Sequence, residues 1–223
     1  MIHIHYFIKR KESLDDAAFH RYWRETHAPL VKHIKQLRMY VGSHRVPYPG
    51  SNSAYDGEGE VLIDSLAVLA ELRGSREFLE GPFTDERNFI DLKRTETMVT
   101  TDHVIVDGPI GGSLVKGVYQ LQKRDGMSVD EFRKYWLEVH GSLGGKLPGL
   151  RRYVQSHLVD EAYQYARPHF DGVAQLWFDS AEAMRAALDS PQGKDLAADG
   201  PKFTDMAALR MFVTQEHVVI PRN

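Results

Sequence analysis

The sequence contains no cysteine at any of its 223 positions. Disulfide bonds, thiolate nucleophiles and zinc sites built on sulfur are therefore excluded. An excess of basic residues is also lacking, because the formal net charge at pH 7 is −3. Nucleic-acid binding requires a basic surface, so we predict no nucleic-acid partner.

Long apolar runs are missing as well. No segment approaches the roughly 20 apolar residues that a helix needs to cross a bilayer, so we predict no membrane association. Residues 1–6 alternate like a strand and lack the apolar core of a signal peptide. Together with the missing cysteines, these features predict a cytoplasmic protein. The hydrophobic fraction of 42% is sufficient for a buried core.

One module of about a hundred residues occurs twice in the chain. The matching segments are residues 19–27 with 132–140, 37–44 with 150–157, and 99–105 with 213–219. The segment between the copies, DGPIGGS, has the composition of a linker. We therefore predict two domains, residues 1–107 and 115–223, joined by residues 108–114.

Each copy has the same predicted order of elements, β-α-β-β-α-β. The predicted strands are residues 2–9, 38–46, 60–70 and 96–106 in the first copy and 115–123, 151–159, 172–178 and 210–220 in the second. In the first helix, Phe19, Trp23, His27 and Leu30 have the spacing of one helix face. The corresponding face of the second copy carries Phe132, Tyr135, Trp136, Val139 and His140.

This order of elements is that of the ferredoxin-like plait. In such a plait the helices cover one face of the sheet and leave the other face bare, and a bare apolar face is an association site. Two copies in one chain can cover each other. We therefore predict an α+β fold with two tandem ferredoxin-like plaits that pair sheet to sheet as a dimeric α+β barrel within one chain.

The helix motif Phe-x-x-Tyr-Trp-x-Glu-x-His is followed by Leu-Arg-x-Tyr-Val-x-Ser-His at residues 19–44 and again at residues 132–157. This pattern resembles the EthD family of dimeric α+β barrel proteins, whose namesake is associated with degradation of an ether fuel additive. Related barrels include cofactor-free monooxygenases, polyketide cyclases, muconolactone isomerase and haem-binding proteins. The resemblance implies a cavity between sheet and helices for a small organic molecule.

Histidines and tyrosines are the candidates for chemistry, because imidazole transfers protons near neutral pH. Tyr40 lies four residues before His44, and Tyr153 lies four residues before His157, so each pair extends from one face of its predicted strand. The predicted catalytic residues are His27, His140, Tyr40, Tyr153, His44 and His157. The predicted substrate-binding residues are Trp23, Trp136, Tyr6, Tyr119, His103 and His217. For His27 and His140, binding of backbone carbonyls at a helix end is the alternative role.

The first strand also contains His3-x-His5, which places two imidazoles on one strand face, as in some metal sites. The second copy has Lys116 and Val118 at these positions. We therefore interpret the motif as part of a surface or edge strand and predict no metal and no cofactor. A metal bound here would need His27 or His44 to complete its coordination.

These observations favour a catabolic enzyme that binds a small apolar, aromatic or cyclic organic molecule. His27 and His140 would transfer a proton, as in an isomerase, dehydratase or lyase. Two alternatives stay open: a non-catalytic binder of a small molecule or haem, and a cofactor-free or metal-dependent monooxygenase. Differences between the copies, such as Arg24 against Leu137, predict one active and one structural site. The two-domain chain could also associate as a homodimer.

Overall fold

The computed structural model describes residues 1–164 and 167–222. Its strands are β1 (Ile2–Ile8), β2 (Met39–Val46), β3 (Gly57–Ile63), β4 (Glu96–Val106), β5 (Val115–Leu121), β6 (Arg152–Leu158), β7 (Gly172–Phe178) and β8 (Arg210–Ile220). These strands form a closed barrel in the order β1-β3-β2-β8-β5-β7-β6-β4. The predicted fold class is confirmed.

The helices follow the duplicated order. They are α1 (Asp16–Tyr22), α2 (Ala28–Val31), α3 (Leu66–Gly74), α4 (Arg76–Glu80), α5 (Pro82–Phe89), α6 (Val129–Tyr135), α7 (Gly141–Gly144), α8 (Ala181–Asp189) and α9 (Pro191–Asp199). Short 3-10 turns span Asp160–Gln164 and Gly200–Lys202. The predicted capping box at Ser128 and Glu131 begins α6. Among the described helices, none is long and apolar enough to cross a membrane.

The chain divides into two compact units. The N-terminal unit comprises Met1–Arg45, Ala54–Val99 and the chain from Glu216 onward. The C-terminal unit comprises Val46–Ser53 and Thr100–Gln215. Within the N-terminal unit, β1 and β2 both pair antiparallel with β3, and within the C-terminal unit, β5 and β6 both pair antiparallel with β7. Each unit therefore repeats the strand pairing of the other.

The third strand of the first copy differs from its prediction. β3 ends at Ile63, and α3 begins at Leu66, so the predicted strand at residues 60–70 is wrong in its second half. The physical reason is Ser65, whose side chain accepts a hydrogen bond from the backbone N–H of Val68 at 3.3 Å and caps the helix.

The first helix of each copy contains a π-helical turn that the α-helical spacing did not predict. In Trp23–His27 the backbone N–H of Ala28 bonds to the carbonyl of Trp23, five residues earlier. The wider turn keeps Trp23 and His27 buried, whereas Leu30 is 38% exposed and Val31 takes the buried position. The second copy has the same turn at Trp136–His140, with Val139 exposed. Leu30 and Val139 were therefore wrongly assigned to the buried face.

The expectation of a surface or edge strand at His3 and His5 is also wrong. β1 lies inside the closed strand order, beside β3. His3 is 3% exposed and His5 is fully buried. The alternation of residues was interpreted correctly as a strand, but alternation alone does not tell whether the second face is solvated.

Glycines in the third strand of each unit let a tryptophan ring approach the sheet backbone closely. A Cβ atom at Gly57 would come within 2.6 Å of the Trp23 ring and 2.9 Å of the Ser43 carbonyl oxygen. At Gly172 a Cβ atom would come within 2.4 Å of the Trp136 ring. The close approach of ring and backbone therefore requires glycine at both positions.

We expect Gly57→Ala and Gly172→Ala each to lower the free energy of unfolding by about 1–3 kcal/mol, the usual cost of overpacking a core. Urea unfolding followed by tryptophan fluorescence measures the effect. Gly74→Ala is the control, because a Cβ atom there meets nothing within 4 Å. Equal stability of all three variants and the parent protein would contradict this account of tryptophan packing.

Candidate functional site

A cavity of about 450 Å³ lies between the helices and the sheet of the N-terminal unit. Most of its wall is apolar. The polar side chains that line it are Tyr6, His27, Tyr40, Arg73, Glu86, Thr95 and Thr97. The C-terminal unit has a smaller cavity of about 190 Å³ at the corresponding place, and His140, Tyr119 and Tyr153 line it.

His27 reaches its cavity from the π-helical turn and is held by a carboxylate from α5. Its Nδ1 donates to Asp85 Oδ2 over 2.9 Å. Asp85 Oδ1 accepts from the Tyr22 hydroxyl at 2.6 Å and from Asn88 Nδ2 at 3.0 Å. An ionised carboxylate only accepts hydrogen bonds, so the hydrogen of neutral His27 lies on Nδ1 and Nε2 is the acceptor.

The surroundings of this pair set its charge. Burial lowers the pKa of His27 and outweighs the opposing effect of the hydrogen bond that His27 donates to Asp85. For Asp85, burial would raise the pKa, but hydrogen bonds from Tyr22, Asn88 and His27 together lower it. The pair therefore exists at neutral pH as a neutral imidazole beside a carboxylate, which is the state of a general base.

The C-terminal unit repeats the arrangement. His140 Nδ1 donates to Asp199 Oδ2 over 2.9 Å, and Tyr135 donates to Asp199 Oδ1 over 2.7 Å. The Lys202 ammonium group lies 3.1 Å from the same carboxylate, at the position that Asn88 holds in the first copy. Burial lowers the pKa of His140 as well. Both copies therefore contain a buried histidine–aspartate pair.

Two phenols face the larger cavity beside His27. The Tyr40 hydroxyl accepts a hydrogen bond from Trp23 Nε1 at 2.8 Å, and burial raises its pKa far above the ordinary value. Burial and the nearby charge of Glu86 raise the pKa of Tyr6 to about 12. Both hydroxyls stay protonated at neutral pH and can donate a hydrogen bond to a ligand oxygen.

The EthD domain model matches the chain twice, at residues 11–93 and 124–207. Together the two matches cover more than half of the sequence. The chain belongs to the EthD family. A comparison with curated proteins found no match.

Several solved structures share the fold of the tandem EthD chain. An anthrone oxidase-like protein is 12% identical with a TM-score of 0.68, and the alignment covers 100% of this chain and 94% of that protein. A haem-binding protein from Thermus thermophilus is 14% identical with a TM-score of 0.55, covering 96% and 90%. A protein described as a candidate monooxygenase from Lactobacillus acidophilus is 10% identical with a TM-score of 0.58, covering 97% and 94%.

The two EthD domains differ in the polar groups of their cavities. Arg73 and Glu86 line the N-terminal cavity, whereas Leu188 and Gly200 line the C-terminal cavity at the equivalent positions of the duplicated sequence. Burial and the charge of Asp85 raise the pKa of Glu86 to about 7. The N-terminal cavity therefore holds a second group that exchanges protons near neutral pH, and the C-terminal cavity has no side chain at that position.

The structure brings seven of the twelve predicted site residues to the two cavities. These are Tyr6, His27 and Tyr40 in the N-terminal EthD domain and Tyr119, Trp136, His140 and Tyr153 in the C-terminal EthD domain. The other five, Trp23, His44, His103, His157 and His217, do not line either of these cavities. Trp23 nevertheless acts on the site through its hydrogen bond to Tyr40.

His44 and His157 lie against the tryptophans, outside these two cavities. The His44 ring is 4.8 Å from Trp23 and 4.6 Å from His20, centroid to centroid. Trp23 therefore separates His44 from Tyr40, although both extend from the same strand. The His157 ring stacks on Trp136 at 4.6 Å. Burial is the main cause that lowers the pKa of each histidine to about 3, so neither matches the predicted role of proton carrier at neutral pH.

The histidines of the last strands also lie elsewhere. His103 is half-buried and packs on His157 with ring centroids 4.3 Å apart. His217 is exposed, and its charge contributes to the low pKa of His44. In each copy, the histidine of the last strand therefore interacts with a buried histidine, His157 or His44, and not with a cavity.

Four residues of the two candidate sites escaped the sequence analysis: Asp85, Asp199, Arg73 and Glu86. A signal for the aspartates was present, because Asp85 and Phe89 recur as Asp199 and Phe203 with the same spacing. The two phenylalanines pack on the site histidines, with ring centroids 4.8 and 4.6 Å away. Arg73 and Glu86 have no counterpart in the second copy, so the duplication could not identify them.

The low pKa of His44 predicts a pH dependence of stability. The unfolded chain binds a proton at this residue near pH 6.5, whereas the folded protein does so only near pH 3. The free energy of unfolding therefore falls as the pH decreases from about 6.5 to 3, by up to about 1.4 kcal/mol per pH unit for each such group.

We expect His44→Gln to reduce the slope of the unfolding free energy against pH between pH 6 and pH 4 by about 1.4 kcal/mol per pH unit, which corresponds to one proton. Urea unfolding at several pH values measures this slope. His33→Gln removes an exposed histidine and serves as the control. If His44→Gln and the parent protein show the same slope, the folded protein does not hold His44 in its neutral form.

Proposed function

We propose that the N-terminal EthD domain binds a small, mostly apolar, aromatic or cyclic organic molecule and moves one of its protons with His27. The observation that carries this proposal is the His27–Asp85 pair in the wall of a cavity of about 450 Å³. Ligand cavities in proteins typically measure roughly 300–1,000 Å³, so this cavity is large enough. The C-terminal cavity of about 190 Å³ falls below that range.

The chemistry follows from the protonation states of the site. Neutral His27 accepts a proton from the substrate at Nε2, and the Asp85 carboxylate stabilises the resulting imidazolium. The phenols of Tyr6 and Tyr40 donate hydrogen bonds to the oxygen on which negative charge develops. Glu86 in its protonated form gives a proton to a second substrate atom. The proton held by His27 then returns to Glu86 through solvent, so the net result is a proton shift within the substrate, as in an isomerase. Dehydratases and lyases use the same proton abstraction, with the acid protonating the group that leaves.

Oxygenation is the second candidate, and it is suggested by the anthrone oxidase-like protein that shares the fold. Removal of a proton from an electron-rich aromatic molecule is also the first step of a cofactor-free oxygenation. The His27–Asp85 pair would serve both reactions. Oxygen uptake during turnover distinguishes them. A Soret band that stays with the protein after incubation with haem and removal of unbound haem by gel filtration would instead indicate a haem binder.

We also propose that residues 1–107 and 115–223 form the two domains, with residues 108–114 as the linker, and that the protein acts in the cytoplasm. The duplicated motifs and the absence of cysteine support these assignments. A homodimer of the two-domain chain is compatible with them, and size-exclusion chromatography with light scattering tests it.

The two domains should differ in activity. With 2-tetralone as a bicyclic ketone probe, we expect the protein to accelerate exchange of the acidic C–H next to the carbonyl group in D2O, measured by NMR. His27→Gln should lower the rate roughly 10²- to 10⁴-fold, the usual contribution of a general base. His140→Gln is the matched control and should retain most of the rate. A comparable loss in both variants would contradict the assignment to the N-terminal domain.

The rate should also have a bell-shaped pH profile. It falls at low pH, where His27 becomes protonated, and it falls above about pH 7, where Glu86 loses its proton. In Glu86→Gln the decline above pH 7 should disappear and the maximal rate should be lower, because the amide cannot supply a proton. An unchanged alkaline decline in this variant would exclude Glu86 as the acid.

A further inference from the structure

β1 presents different residues on its two faces. Ile4 belongs to the core against the helices, and Tyr6 lines the cavity on that side. His3 and His5 alternate with them and therefore extend from the opposite face of the sheet. Glu58 and Glu60 extend from this opposite face of β3, because His5 lies directly opposite Glu60 in the antiparallel register.

These four side chains form a compact buried cluster. His5 Nδ1 lies 2.8 Å from Glu58 Oε1, and His3 Nε2 lies 3.6 Å from Glu60 Oε2. The imidazole rings of His3 and His5 have centroids 4.0 Å apart. One ligand atom from each of His5, Glu58 and Glu60 lies within 4.8 Å of the others. None of the four residues is more than 3% exposed.

We propose that His5, Glu58 and Glu60, with His3 as a fourth ligand, bind one divalent first-row transition-metal ion. Imidazole nitrogens and carboxylate oxygens are ligands of Zn²⁺, Fe²⁺ and Mn²⁺ in proteins. Ligand atoms about 2.1 Å from a tetrahedral ion lie roughly 3.4 Å from one another. The separations of 2.8 and 3.6 Å in the cluster bracket that value.

Further groups of the cluster orient the proposed ligands. Ser43 donates a hydrogen bond from its hydroxyl to Glu60 Oε1 over 2.8 Å, so the second oxygen of that carboxylate faces His3. Hydrogen bonds of this kind fix the direction of metal-binding carboxylates.

The C-terminal EthD domain offers an internal comparison. Its equivalent positions hold Lys116, Val118, Val173 and Gln175, and Val118 lies opposite Gln175 as His5 lies opposite Glu60. Lys116 is fully buried and lies 5.4 Å from the Trp177 ring centroid. All four potential ligands are thus absent from the second copy together, which is expected if they serve one purpose.

The proposed site is separate from the His27 cavity and does not depend on the proposed proton transfer. The protein is first dialysed against EDTA and then titrated with Zn²⁺ by isothermal calorimetry. We expect one Zn²⁺ per chain and a rise in Tm with added Zn²⁺. In Glu58→Gln/Glu60→Gln, binding should weaken by more than about 100-fold, since changes to the partners of metal ligands alone cost 10- to 100-fold.

His103→Gln is the control variant, because it removes one member of the stacked pair His103–His157, whose ring centroids lie 4.3 Å apart. It should bind Zn²⁺ like the parent protein. Equal binding by the glutamine double variant and the parent, or a loss confined to His103→Gln, would overturn the proposal and indicate adventitious binding by histidine.

A measurement on the parent protein covers the case in which the double variant does not fold. Zn²⁺ should shift the ring ¹⁵N resonances of His3 and His5 at one equivalent and leave those of His27 and His140 unchanged. Unshifted His3 and His5 resonances at saturating Zn²⁺ would overturn the proposal.

Discussion

The hydrogen bond between His27 and Asp85 joins the two helical segments that enclose the N-terminal cavity. The Tyr22 hydroxyl bonds to the same carboxylate, so both of these polar connections between the segments end on Asp85. The π-helical turn places His27 on the buried side of its helix, and Asn88 helps to hold the partner carboxylate. The position and protonation of His27, and the shape of the cavity beside it, thus depend on one buried hydrogen bond.

The same contact is present in the C-terminal EthD domain, yet the cavity beside it is smaller and less polar. The histidine–aspartate pair is therefore compatible with a structural role, since it fixes the helices in both copies. What distinguishes the N-terminal domain is the additional pair Arg73 and Glu86. Duplication preserved the framework, and the difference in activity that we propose between the domains depends on residues that the copies do not share.

Much of the fold was predictable because the sequence repeats. Strands rich in β-branched residues, such as 96–106 and 210–220, were placed with the correct ends. Patterns of 3.6-residue spacing could not anticipate a π-helical turn, so Leu30 was assigned to the buried face although it is exposed.

The site was predictable in part. His27 and Tyr40 were found because their spacing reports directly on a helix face and a strand face. Asp85 is distant in sequence, and its contact with His27 is a property of tertiary structure. Glu58 was missed for a local reason. The third strand was predicted to begin at residue 60, which left Glu58 outside it and hid its register with β1.

One strand of seven residues takes part in both proposed sites of the N-terminal EthD domain, with Tyr6 on one face and His5 on the other. Strand geometry makes the two faces interdependent, because a shift by a single residue turns every side chain to the opposite side. An insertion or deletion within β1 would therefore disrupt the cavity and the histidine–glutamate cluster at once. Point substitutions, in contrast, can alter either site alone, so a scan of insertions and substitutions along β1 should show very different tolerance to the two kinds of change.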